Sequence, residues 1–82
     1  MDMIRIIKLK KEYNELETRI NNLIAFTKTD TFTLLSGCEK EMLLSQLHAM
    51  NVYLFVLGDR ISFYEGRPLI FEWRCGNETR NI

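Results

Sequence analysis

Apolar residues recur at steps of three and four along two stretches of this chain, with a short polar break between them. The first stripe is Ile6, Leu9, Tyr13, Leu16, Ile20 and Leu23; the second is Leu43, Leu47, Met50, Leu54, Leu57 and Ile61. That spacing keeps side chains on one face of an α-helix, so it predicts two long amphipathic helices. Each stripe is too apolar to leave in water, and the nearest partner for each is the other. The predicted fold is mainly α, an antiparallel helical hairpin.

Local signals place the boundaries. The first helix is predicted from about residue 2 or 3 to about residue 28, with Asp2 as a candidate N-cap and Lys28 where a cation suits the negative end of the helix dipole. Thr29 or Asp30 can then cap a short connecting helical turn that carries Phe32, Leu34 and Leu35. Ser36, with Glu39 three residues on, forms a capping box in which each side chain satisfies a backbone amide of the other. It opens a second long helix from about Cys38 to Phe63 or Tyr64. Gly66, Arg67 and Pro68 stop that helix, because proline cannot continue it and glycine tolerates the turn.

Beyond Pro68 the period changes to two. Leu69, Phe71, Trp73 and Cys75 alternate with Ile70, Glu72 and Arg74, which predicts a short C-terminal β-strand or extended segment. A lone strand leaves its own amides and carbonyls unpaired. It must pair with a strand of another copy or lie against the hairpin through Phe71 and Trp73. The chain thus divides into a hairpin domain, residues 1–66, and an extended segment with a polar, frayed tail, residues 67–82.

Size adds a constraint. A chain of 82 residues buries only about 60–65% of its unfolded surface, so a lone two-helix hairpin is marginal. Residues 52–57 read Val-Tyr-Leu-Phe-Val-Leu, apolar all round the helix rather than along one stripe. A helix apolar on every side is buried on every side, which two helices alone cannot achieve. The expectation is an oligomer.

Charge is balanced at eleven basic and eleven acidic residues, so bulk electrostatics draws the protein to neither DNA nor membrane. The distribution is uneven: Arg5, Lys8, Lys10 and Lys11 precede Glu12, Glu15 and Glu17. Lys8 with Glu12, and Lys11 with Glu15, stand one helical turn apart as solvated pairs do. The other reading of this basic turn is an anion site completed by a neighbouring subunit. Cys38 and Cys75 lack metal-ligand spacing, and no secretory apolar region opens the chain, so reduced thiols are expected. The sequon at Asn77, Glu78 and Thr79 then reads as polar tail.

No catalytic constellation can be assembled. His48 is the sole histidine and reads as a surface or interface side chain. Four scattered glycines fit no phosphate-binding loop, and neither metal nor cofactor is implied. The expectation is a binding module rather than an enzyme. Tyr13 abuts the basic turn, and Phe63, Tyr64, Phe71 and Trp73 crowd the C-terminal part. Aromatic rings stack on bases while Lys and Arg pair with phosphates; the competing reading makes these rings core or subunit contacts.

One further pattern is informative. Phe32 and Leu35, then Glu41, Leu43, Leu44, Gln46, Leu47, Met50 and Tyr53, then Leu57, Arg60 and Ile61, follow Glu15, Leu16, Ile20, Leu23 and Phe26. Over roughly residues 9–62 this resembles the helical-hairpin domain of phage anti-CBASS cyclic-oligonucleotide sponges, shared with the anti-Thoeris sponges. The resemblance implies homo-oligomers, the hexamer among them. Their subunit junctions would enclose cyclic dinucleotides such as cGAMP, with trinucleotides as a further class. It also implies sequestration without cleavage, in the cytoplasm of the infected bacterial host, which blocks CBASS-type immune signalling. The family's pocket lysine aligns near Asn14 here, and Lys10 and Lys11, one turn away, can substitute for it. Tyr13, or an aromatic from the C-terminal segment, takes the part of the stacking tyrosine. The implied ligand-binding residues are Lys8, Lys11, Tyr13 and Asn14.

Two alternatives remain at this level. The strand at residues 69–74 can add to the sheet edge of a host protein, making the chain a helical protein-interaction inhibitor. A purely structural coiled-coil adaptor is the third reading.

Overall fold

The computed structural model describes residues 3–73. Three helices follow in order: α1 over Met3–Thr27, α2 over Asp30–Thr33 and α3 over Gly37–Glu65. The two long helices are antiparallel, because the start of α1 meets the end of α3. Lys10 reaches Glu65, Tyr13 lies against Gly58 and Glu12 accepts a hydrogen bond from Tyr53. The molecule is only 15 Å thick in its thinnest direction, little more than one helix with its side chains at about 10–12 Å. A single layer of two helices is the physical reason why its core is small.

That core is the meeting of the two stripes. Leu9, Leu16 and Ile20 from α1 and Leu57 and Ile61 from α3 are buried, with Tyr13, Ile24, Leu47, Met50, Leu54 and Tyr64 packed against them. Leu57 is fully enclosed at 0% exposure, and such burial stabilises by about 1.5–3 kcal/mol per large apolar side chain. Ile6, Leu23 and Leu43, the outer members of the stripes, are half-buried.

The break between the helices is built from hydroxyl caps. α1 ends at Thr27, whose hydroxyl donates to the Ile24 carbonyl at 2.6 Å, and Thr29 donates likewise to Phe26 at 2.7 Å. The last carbonyls are thus satisfied by threonines. Lys28 lies just past the helix rather than in its last turn. Thr29 then accepts from the Phe32 amide as N-cap of α2. The predicted capping box forms: Ser36 Oγ accepts from the Glu39 amide at 3.1 Å, and the Glu39 carboxylate accepts from the Ser36 amide at 3.4 Å. Asp2 lies outside the described residues, as do Arg74, Cys75 and the sequon.

At its far end α3 closes with a Schellman turn. Arg67 N–H donates to the Ser62 carbonyl at 2.8 Å and Gly66 N–H to Phe63 at 3.3 Å. Gly66 takes φ of 73°, a left-handed conformation that a Cβ would disfavour. The chain then folds back, and here one expectation changes. Among the described residues no strand forms; residues 67–73 are irregular, with bends at Ile70 and Phe71. Of the two ways to satisfy that segment, it takes the second and lies against the hairpin. The segment is called the strap below.

The charge pairs also differ from the simple helical spacing. Among the described residues, neither Lys8 with Glu12 nor Lys11 with Glu15 forms an ion pair; the bridges are Lys10 to Glu65 and Arg67 to Glu65. Glu12 instead takes the Tyr53 hydroxyl across the hairpin. Interhelical contacts outcompete a solvated pair worth only a few tenths of a kcal/mol.

Candidate functional site

The strap is held by one carboxylate. Asp59 is only 3% exposed, and an ionised group at that depth needs full hydrogen bonding. It has it: Oδ1 accepts from the Ile70 amide at 2.8 Å, and Oδ2 accepts from the Phe71 amide and the Trp73 indole, each at 2.9 Å. Burial pushes the Asp59 carboxyl up, but the donors of Ile70, Phe71 and Trp73 together outweigh it and hold it below its ordinary range. Ring contacts complete the seam. Phe71 meets Phe55 edge-on at 5.9 Å and Trp73 at 5.6 Å between centroids.

Docking of the strap creates a groove of about 370 Å³. Lys10, Tyr13 and Asn14 supply the α1 wall, Gly58, Asp59, Ile61 and Ser62 the α3 floor, and Arg67 and Ile70 the strap side. The Tyr13 ring passes close over Gly58, where a Cβ would stand 3.4 Å from its edge, an ordinary van der Waals contact. The groove is therefore ring, amide and two cations on a partly apolar bed. Glu65 spans the cations, with one oxygen 2.8 Å from Lys10 Nζ and the other on Arg67. The hydrogen bond from Lys10, with Arg67 beside it, holds the Glu65 carboxyl below its ordinary range.

Helical geometry sorts the four residues implied by the sequence. At about 100° per residue, Lys10, Tyr13 and Asn14 share one flank of α1, whereas Lys8 and Lys11 turn to another. Tyr13 and Asn14 accordingly line the groove; Lys8 and Lys11 are exposed and outside its lining. Tyr13 thus both packs against the core and lines the groove. Asp59, Glu65 and Arg67 were not singled out by the sequence reasoning. Asp59 did leave one signal, as the sole acid between Glu41 and Glu65 in the most apolar stretch of the chain.

A second, more apolar cavity of about 310 Å³ shares Asp59 and is lined by Val56, Arg60, Phe63, Tyr64, Leu69 and Trp73. Cys38 and His48 share an open surface depression near the start of α3. Among the described residues no group of three or more His, Cys, Asp or Glu side chains is placed to hold a metal ion. Nor, among them, is any helix long and apolar enough to cross a membrane.

Fold and groove together define a small helical-hairpin binding protein. Comparison with known proteins makes this specific: the Sequestin family model matches residues 5–63, and the chain belongs to that family, the phage sponge group to which its sequence pointed. It is 36% identical over 58 residues to an uncharacterized 7.5 kDa protein from the denB-rIIB intergenic region of Enterobacteria phage T4, covering 71% of this chain and 91% of that relative. No solved structure matches it significantly. The chain is thus a phage sequestering protein of sponge type, from a family of binding proteins for small signalling molecules. The strap lies beyond the matched residues.

Proposed function

We propose that this protein binds cyclic dinucleotide second messengers, with cyclic trinucleotides as a further class, and holds them without cleaving them. Signalling of the CBASS type is thereby starved of its messenger in the cytoplasm of the infected bacterium. Membership of the sponge family carries this reading, and the chemistry of the groove supports it. A tyrosine face suits a base, an asparagine amide suits a base edge, and Lys10 with Arg67 suits phosphate oxygens. Lys8 and Lys11, exposed on the adjoining flank of α1, raise the local potential for an anion and are proposed as outer contacts.

The groove volume of about 370 Å³ is near the lower end of small-molecule sites, about 300–1,000 Å³. A ligand with two bases and two phosphates overfills it, so the groove reads as a half-site that a second copy completes. Homo-oligomerisation, up to the hexamer, belongs to this proposal. Val52 and Phe55, 46% and 48% exposed on α3, supply apolar surface for such contacts.

Sequestration needs affinity and abundance only. Against a messenger at micromolar levels, a site with Kd of about 1 nM, roughly −12 kcal/mol, removes nearly all free ligand when the protein is in excess. Isothermal titration with a panel of cyclic di- and trinucleotides, followed by denaturation and recovery of the ligand, tests both halves. Binding with intact ligand recovered is expected. Absence of binding across the panel refutes the reading, and recovery of linear product refutes sequestration. Lys11→Glu is expected to weaken binding far more than it lowers the melting temperature.

The alternative, strand addition to a host protein, meets a physical obstacle. Ile70 and Phe71 already donate their amides to Asp59, so a sheet edge would first have to break both bonds.

A further inference from the structure

The strap lies beyond the residues that the family model matches, and it brings a second cation to the groove. Gly66 and the Arg67 amide already close α3, so residues 68–73 are not needed to end the helix. Yet a buried carboxylate, Asp59, is committed entirely to gripping this segment at three points. Fixing a chain segment this firmly costs conformational entropy, which these bonds must offset. The result of that ordering is Arg67, set opposite Lys10 with a carboxylate oxygen of Glu65 on each.

We infer that the strap is a ligand-binding arm: Asp59 positions it, Arg67 takes a phosphate oxygen of the nucleotide, and Glu65 is an internal anion that the phosphate displaces. This rests on reading the groove as a nucleotide site. Two cations facing one carboxylate form the geometry that a phosphodiester group also satisfies, and a guanidinium presents a planar fork that matches either anion. Glu65 thus keeps the two cations together and oriented while no ligand is present. The inference separates three roles. Arg67 contacts ligand, Asp59 acts through Arg67, and Glu65 opposes binding while it shapes the site.

The roles differ in the sign or the size of their effect in a titration with the tightest-binding cyclic dinucleotide of the panel. Arg67→Ala, at an exposed position, is expected to keep the wild-type circular dichroism and to weaken binding by about tenfold or more. Trp73→Phe keeps a ring but removes one of the three donors to Asp59; it is expected to weaken binding by a smaller factor. Asp59→Asn in the Arg67→Ala background is expected to add little further loss, because positioning matters only through the arginine. Glu65→Gln is expected to tighten binding by a few-fold, an effect of opposite sign to any loss of scaffold.

A wild-type protein that binds while Arg67→Ala binds equally well overturns the arm and leaves the nucleotide reading standing. Weaker binding by Glu65→Gln overturns the displaced-anion role. Failure of the wild type to bind any cyclic nucleotide overturns the arm and the underlying reading together.

Discussion

The two halves of α3 face the same partner helix and end up in different states. Its buried residues, Leu57, Asp59 and Ile61, all lie in the C-terminal half, and none lies in the N-terminal half. Both halves meet α1, and they differ in what lies on the outside. The C-terminal half is backed by the strap, which adds Leu69, Phe71 and Trp73 as a second layer over part of the hairpin. Among the described residues no such segment backs the N-terminal half, where Phe32 of α2 meets Lys40, and Met42 and Leu44 stay exposed, as does Leu34 at 85% before it. Two helices in one layer make a stripe of contact, whereas a third segment turns part of that stripe into an interior.

The largest effect expected from this contrast is at Leu57. Leu57→Ala removes a fully enclosed side chain and is expected to cost about 3–4 kcal/mol, whereas Leu44→Ala in the uncovered half should stay within about 1 kcal/mol. Urea unfolding of the two variants compares them directly. Equal losses would mean that the strap does not make an interior.

Acid should undo the covered half first. The Asp59 carboxyl is held below its ordinary value, which is about 3.9 in an unfolded chain. A group with depressed folded pKa stabilises fully above its unfolded value and loses that contribution as pH falls through the folded one. Strap docking is therefore expected to be constant at neutral pH and to be released below about pH 3.9, reported by Trp73 emission. In Asp59→Asn this acid transition in Trp73 emission should vanish. An unchanged transition would assign it to other carboxylates.

Smaller effects belong to the elements that join the halves. Ser36→Ala removes the N-cap of α3 and is expected to cost about 1 kcal/mol, read as a lower melting temperature. Tyr53→Phe removes the hydroxyl bond to Glu12 on α1, and at a half-exposed position its cost should be about 0.5 kcal/mol or less. That bond has a pH signature opposite to that of Asp59. Donation to Glu12 raises the Tyr53 pKa, so its contribution is present below about pH 10 and is lost as pH rises through the raised value.

These contrasts also explain what could be read from the sequence. Steps of three and four at Leu9, Leu16, Ile20, Leu57 and Ile61 are local, and helices obey local spacing, so the hairpin was legible. Ser36 with Glu39, and Gly66 before Pro68, are equally local. The strap was not legible as such, because alternation at Leu69, Phe71 and Trp73 looks the same whether the amides meet a strand or a carboxylate. Only the fold-back shows that Asp59, more than ten residues away in sequence, meets them. The groove shows the same limit. Tyr13 and Asn14, which line it, were named as candidates through the basic turn and the resemblance. Which lysine accompanies them depended on the angular position of Lys10 and on the return of Arg67, a contact that no spacing encodes.

The central claim is that this protein holds a cyclic dinucleotide intact, in a site completed by a further copy. Native mass spectrometry of the full chain mixed with cGAMP tests it most directly. The account predicts multi-subunit assemblies carrying whole numbers of unmodified nucleotide, released at their original mass when the protein is denatured. A single folded polypeptide that retains no cyclic nucleotide would contradict it.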